Sequence, residues 1–296
     1  MFVDAIERID TFTRPVHSII RLYGHGEIVP GSATLFFVNE TGCAVTCKHV
    51  AELLINADQI NQNYRTFQSE RGTLLRNAKH TSAQLQSLEE RFKINPQSLI
   101  QIKNLFPDSI DQFTAWKWFL HPVYDLAVVQ FSGFTKRFYS QYATFARDSS
   151  SVKPGRMYCR LGYPFPDFNN FRYNEQVDDI EWTTTGRIKS PRFPIEGMVT
   201  RLMADPNGTI SGIEMSTPGL RGQSGGPLFD ERGLIYGMQS ATRHLHLGFD
   251  IEGMDVLVNN RKAKVSNYPF LNVGLCVHVD VIKRYLTECG IKYYEA

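Results

Sequence analysis

The sequence predicts an all-β protein of two antiparallel β-rich lobes, with a helical insertion in the first lobe and a helix closing the second. Three observations carry this expectation. Short apolar runs punctuated by glycine and turn residues recur along most of the chain. One stretch, about 56–115, is instead rich in Gln, Asn, Lys and Glu and spaces Leu85, Leu88 and Phe92 as a helix would. The 296 residues are enough for one large or two modest cores, because single domains usually run to roughly 100–200 residues.

The first lobe, residues 1–145, opens with the strand-like runs VHSIIRLYG, GSATLFFV and CAVTC, the last two joined by a turn at Asn39-Glu40-Thr41-Gly42. The insertion follows. Its Arg71, Arg76, Lys79, Arg91 and Lys93 are interspersed with Glu70, Glu89 and Glu90, the pattern of a solvated face. Strand character returns with WKWFL and with DLAVVQF, a nearly continuous apolar run such as a buried strand shows. The aromatics Phe113, Trp116, Trp118 and Phe119 read as packing residues.

ARDSSSVKPG has the serine, proline and glycine content of a connection, and a second lobe, residues 146–296, follows. It contains RMYCRLGY, a β-like segment around Glu181 to Ile188, and MVTRLMA joined to TISGIEM through the turn Asp205-Pro206-Asn207-Gly208. SGGPLF and LIYGMQS follow across Asp230-Glu231-Arg232-Gly233, then VGLCVHV. VDVIKRYLTECG places Val281, Ile282, Tyr285 and Leu286 on one helical face and stops at Gly290.

With 32 basic and 30 acidic residues the net charge is +2. That field is too weak to argue for nucleic acid or an acidic membrane surface, and neither is expected as a partner. The five cysteines, Cys43, Cys47, Cys159, Cys276 and Cys289, are odd in number and lack a framework spacing, which suits reduced thiols in a cytosol. Asp4, Glu7, Arg8 and Asp10 interrupt the start where an export signal needs an apolar core, so a cytoplasmic, soluble protein is expected.

Three motifs carry chemistry. Gly222-Gln223-Ser224-Gly225-Gly226-Pro227 sets a serine among glycines whose freedom allows a tight turn. Such a turn aims the N–H groups of Gly222 and Ser224 into one small hole, as a tetrahedral intermediate requires. A Gly-rich connection between two strands would use the same residue types. His49, in Thr46-Cys47-Lys48-His49-Val50, stands where a strand gives way to a short helix, a place for a general base held on rigid structure. Asp125 stands at the mouth of the apolar strand DLAVVQF, where a carboxylate can orient an imidazole.

Together these residues resemble the trypsin-like serine peptidases, most closely the bacterial HtrA-type branch. The similarity rests on GSATLFFVNETGCAVTCKHV, HPVYDLAVVQ, GQSGGPLFDERGLIYGMQS and NVGLCVHVDVIKRYL, about half the chain, in the order His, Asp, Ser. It implies two chymotrypsin-like antiparallel barrels with a triad of His49, Asp125 and Ser224 in the cleft between them. It also implies an oxyanion hole from Gly222 and Ser224, and peptide-bond hydrolysis through an acyl-enzyme without a cofactor. The substrate would be a protein or peptide. Pro218 takes the position at the base of the specificity pocket, so Lys and Arg are not expected as the main choice. Gly219 and Gly274 would leave room for a side chain, and Ser240, Ala241 and Thr242 would pair with the substrate backbone. Arg221 and Arg243 are the cations placed to attract an acidic group. Gln223 replaces the aspartate that pairs with a newly cut N-terminus in zymogen-derived members, so control is expected elsewhere, through the 56–115 insertion and an activating protein partner.

Two rivals are distinguishable. The nucleophile elbow of α/β-hydrolase esterases also reads G-x-S-x-G, with a helix directly after the serine and a later histidine such as His244, His246 or His278. A catalytically silent, protease-like binding or scaffold protein would keep the fold alone. Cys43, Cys47 and His49 fall short of the four ligands of a structural zinc, and no metal is expected.

Overall fold

The computed structural model describes residues 2–76, 81–258 and 261–296. Lys79, expected on a solvated face, lies outside them. The described residues are mostly β, in two large sheets that divide the chain by sequence and two smaller two-stranded sheets. The first half supplies α1 (Val3–Asp10), β1 (Thr13–Leu22), β2 (Ile28–Phe37), β3 (Cys43–Thr46), α2 (Lys48–Ile55), α3 (Ala57–Arg76), α4 (Ser82–Phe92), β4 (Leu99–Leu105), β5 (Ala115–Leu120) and β6 (Ala127–Ser132). Its six strands run in the order β4-β1-β2-β3-β6-β5, all antiparallel.

The second half supplies β7 (Thr144–Phe145), β8 (Met157–Gly162), β9 (Phe171–Asn174), β10 (Asp179–Trp182), β11 (Phe193–Ala204), β12 (Ile210–Met215), β13 (Pro227–Phe229), β14 (Ile235–His246), β15 (Ile251–Val258), β16 (Arg261–Asn267), β17 (Phe270–His278), α5 (Val279–Glu288) and β18 (Tyr294–Glu295). Strand β13 pairs with both β8 and β14, so β13-β8-β11-β12-β17-β14 closes on itself as a six-stranded barrel. Closure runs through β13, which covers β14 only as far as Met238.

The first sheet is a half-barrel instead. No ladder joins β4 to β5 among the described residues. Aromatic packing fills the seam: Phe106, Phe113, Trp116 and Phe131 contact one another with ring centroids 5.1–5.9 Å apart. The free edge of β4 is met by α3, whose Asn61 donates to the Ile102 carbonyl at 2.8 Å and accepts the Ile102 N–H at 2.9 Å. One carboxamide thus does the work of the missing strand. This corrects the expected helical insertion over 56–115: the helices end at Phe92, and Leu99–Leu105 is a strand of the sheet. Helical spacing identified α4 and could not report where the chain turned back into β4.

One apolar core runs through both sheets. It joins Leu35, Phe36 and Phe37 of β2 to Leu161, Phe229 and Met238 of the barrel. Helix α5 buries Val281, Ile282 and Leu286 in this core, to which Val50 and Leu54 of α2 also belong. The C-terminal helix also reaches the turn that carries Asp125, where Tyr285 meets His121 edge-on with ring centroids 4.7 Å apart. No helix among the described residues is long and apolar enough to cross a membrane.

Candidate active site

His49 is the second residue of α2, directly after the buried strand β3. Its Nδ1 lies 2.9 Å from Asp125 Oδ2 and 3.0 Å from Oδ1, and its backbone N–H donates to Oδ1 at 3.0 Å. Asp125 sits in the turn before β6, shaped by His121, whose Nδ1 accepts from the N–H groups of Val123 and Tyr124. The Ser240 hydroxyl donates to Asp125 Oδ2 at 2.6 Å. Burial raises the Asp125 pKa, but the hydrogen bonds from His49 and Ser240 outweigh it and bring it down to about 2. The hydrogen bond to this carboxylate lifts the His49 pKa above its ordinary value, against burial. An ionised acceptor on Nδ1 puts the proton there and leaves Nε2 free to accept.

Ser224 stands in a loop bound to both sheets. Gly222 and Gly225 have φ of +94° and +89°. A Cβ on Gly225 would come within 2.0 Å of the Thr34 carbonyl oxygen, so no larger residue fits. Thr34 of β2 clamps the loop: its N–H donates to the Ser224 carbonyl at 2.9 Å and its hydroxyl to the Gly222 carbonyl at 2.7 Å. Gln223 is fully buried, accepting from the Leu220 N–H and donating to the Phe193 carbonyl. Among the described residues the N–H groups of Gly222 and Ser224 have no acceptor. The Ser224 hydroxyl donates to the Ser240 carbonyl at 3.4 Å, a long bond, and no hydrogen bond links it to His49.

Beside Ser224 lies a pocket of about 370 Å³ whose lining includes Gly219, Arg221, Gln239, Ser240, Ala241 and Thr242. Of the residues expected there, Pro218 and Gly274 do not line it. The space over Gly274 is occupied, since a Cβ there would stand 2.2 Å from an Arg160 nitrogen. The register of β14 against β17 shifts between Gln239 and Ala241, and this bulge places Ser240 on both Asp125 and Ser224. Among the described residues, no strand pairs with Ser240–Thr242 on the side away from β17. That free edge is where an extended peptide can add a strand.

Sequence reasoning missed Thr34, His121, Gln239 and Arg160. A threonine inside an apolar strand is an ordinary strand former, so nothing marked Thr34. Cys47, His49 and Asp125 bring potential metal ligands within 4.8 Å of one another. Burial pushes the Cys47 pKa well above the thiol range, and the thiol donates to the Gln239 carbonyl at 3.2 Å. A protonated thiol is a poor ligand.

Ser224 is followed by β13 and not by a helix, which removes the nucleophile elbow. His278 caps α5, His246 bonds Asp250, and His244 bonds Asn272.

No curated protein matches this sequence. Among solved structures, the Rv3671c protease from M. tuberculosis in its active form is similar with a TM-score of 0.48 and 12% identity, over 98% of this chain and 86% of that one. The family model described as the trypsin-like peptidase domain matches residues 33–238, a span that holds His49, Asp125 and Ser224. This match covers more than half of the chain, which therefore belongs to the trypsin-like peptidase family.

Proposed function

We propose that the chain is a serine endopeptidase working through His49, Asp125 and Ser224. The observation that carries this reading is the Asp125 carboxylate, which takes Nδ1 and the backbone N–H of His49 together with the Ser240 hydroxyl. Nε2 of His49 removes the proton of Ser224 as Oγ bonds to the scissile carbonyl carbon. The negative oxygen that forms is met by the N–H groups of Gly222 and Ser224. Nε2–H then protonates the leaving amine as the C–N bond breaks, and water, deprotonated by the same nitrogen, hydrolyses the acyl-enzyme. Asp125 stays ionised throughout and holds the ring. The substrate backbone aligns along Ser240–Thr242. The buried carboxamide of Gln223, already bonded twice, supports an HtrA-like protein not activated by a cut N-terminus. The free state of the cysteines supports a reducing, cytoplasmic setting.

A catalytically silent binding protein is the competing reading, favoured by the Ser224 hydroxyl turning toward the Ser240 carbonyl and not to His49. Such bonds often tighten only with substrate bound. Labelling with a fluorophosphonate decides: modification of Ser224 that is lost in His49→Ala supports the peptidase, and an intact, unlabelled protein supports the silent one. Ser224→Ala is expected to lower kcat by on the order of 10⁶ without unfolding the chain.

A further inference from the structure

We propose that the pocket beside Ser224 selects a glutamate or aspartate side chain at the residue preceding the cleaved bond, with Arg160 as the specificity-determining cation. The proposal rests on the peptidase reading for its catalytic consequence and on the pocket itself for its chemistry.

Arg160 lies in β8 with no exposed surface. Its Nη1 donates to Gln239 Oε1 at 2.5 Å, and its Nη2 donates to the Thr217 carbonyl at 3.0 Å and to the Thr217 hydroxyl. Its Nε has no partner. Among the described residues no carboxylate forms an ion pair with it, whereas buried Arg21 has Asp178 and buried Glu214 has Arg201. A guanidinium taken out of water without a counter-ion is strongly disfavoured, and an apolar side chain would fill a barrel core without that penalty. A retained cation of this kind is explained by an anion that arrives from outside.

The route for that anion is the pocket. Gln239 both lines it and receives Arg160, so the guanidinium stands one side chain behind the pocket wall. Gly274 supplies the space for it. Arg160 fixes the carboxamide with its oxygen toward the cation, and one hydrogen of Nε2 goes to the Ala241 carbonyl at 2.7 Å. The second hydrogen of Nε2 is then available to a substrate carboxylate, with the Arg160 charge aligned behind it. Arg221 and His244 also line the pocket and no Asp or Glu does. A lysine or arginine side chain would meet cations and no anionic partner.

The test uses Ser224→Ala, so that binding is read without catalysis. Two peptide amides are compared by calorimetry, identical except that the residue carrying the amide is Glu in one and Gln in the other. The Glu peptide is expected to bind about 10- to 100-fold more tightly, the range of a hydrogen bond to a charged group. The advantage should fall to within about twofold when Arg160→Gln is added. Equal binding of the two peptides by folded Ser224→Ala overturns the proposal. Arg221→Gln, at an exposed position, is expected to keep most of the preference; its loss there would assign selectivity to Arg221 and overturn the role of Arg160, even if Arg160→Gln does not fold. Fluorophosphonate labelling is read separately on the unsubstituted protein. Labelled Ser224 without a Glu preference removes this proposal alone, and a Glu preference with unlabelled Ser224 removes only the peptidase reading.

Discussion

On the proposed serine-peptidase reading, the His49–Asp125 pair sets the pH dependence. Hydrogen bonding to Asp125 lifts the imidazole pKa above 6.5, and a general base acts only when unprotonated. The rate constant kcat/KM is therefore expected to rise with pH along a limb centred above 6.5. Asp125→Asn removes the cause of the lift, so the limb should move down in pH while the plateau falls about 10⁴-fold through the wrong tautomer. A pH–rate profile of both proteins checks this, and a limb below 6.5 in the unsubstituted protein would contradict it. The two partners act oppositely on stability. Asp125 titrates at about 2, below its ordinary 3.8, so its contribution is present above 3.8 and lost as pH falls through about 2. His49 contributes fully below 6.5 and loses its contribution as pH rises through its raised pKa. Thr34 is the less visible member of the site. Thr34→Val keeps the shape and leaves the buried Gly222 carbonyl without its donor, which should cost about 1–3 kcal/mol in denaturant unfolding. It should also lower kcat, because the N–H of Gly222, the proposed oxyanion donor, belongs to the loop that Thr34 clamps.

At the scale of elements, α3 is part of the half-barrel and not decoration. Its Asn61 occupies the edge of β4, and its Tyr64 and Phe67 share a small core with Leu88, Ile94 and Ile100. Tyr64 and Gln68 also bond Asp178, in the turn between β9 and β10, where Arg21 pairs with the same carboxylate. Asn61→Ala is expected to destabilise the protein by about 1–3 kcal/mol, because it strips both groups of Ile102. A Gly-Ser linker in place of 56–115 would remove β4 itself, so it does not test a regulatory insertion. A linker replacing 77–92 keeps α3 and β4. If α4 governs access to the site, that variant should change cleavage of a folded protein while leaving a short peptide's turnover intact; equal rates on both would end the idea of control through this segment.

At the scale of the molecule, the site exists because two sheets meet. His49 and Asp125 come from the first, Ser224 and Ser240 from the second, and the shared core with α5 holds them in register. Leu286→Ala is expected to cost about 2–5 kcal/mol and to lower a single transition that removes both fluorescence and activity. Separate transitions for the two sheets would contradict one shared core. All five cysteines are free, four of them buried, so the melting temperature should be the same with and without a reductant. A fall on reduction would reveal a disulfide.

What the amino-acid sequence by itself determined is the local grammar: the turns, most strands of both sheets, the closing helix, and the order of His49, Asp125 and Ser224. These depend on residues close together in the chain, where periodicity and glycine placement act directly. The helical stretch is shorter than its composition predicts, because the tertiary role of β4 as the partner of β1 outweighs its polar surroundings. The long arm of β14 to β17, which carries exposed Leu247, Phe249, Met254 and Leu257, gave no recognisable signal. Only the tertiary structure decided that the first barrel stays open, that a bulge at Ser240 serves Asp125, and that Gly274 makes room for a cation and not for a substrate. Each of these depends on groups far apart in sequence. Arg160 and Gln239 are 79 positions apart, and only barrel closure brings the charge of one behind the carboxamide of the other.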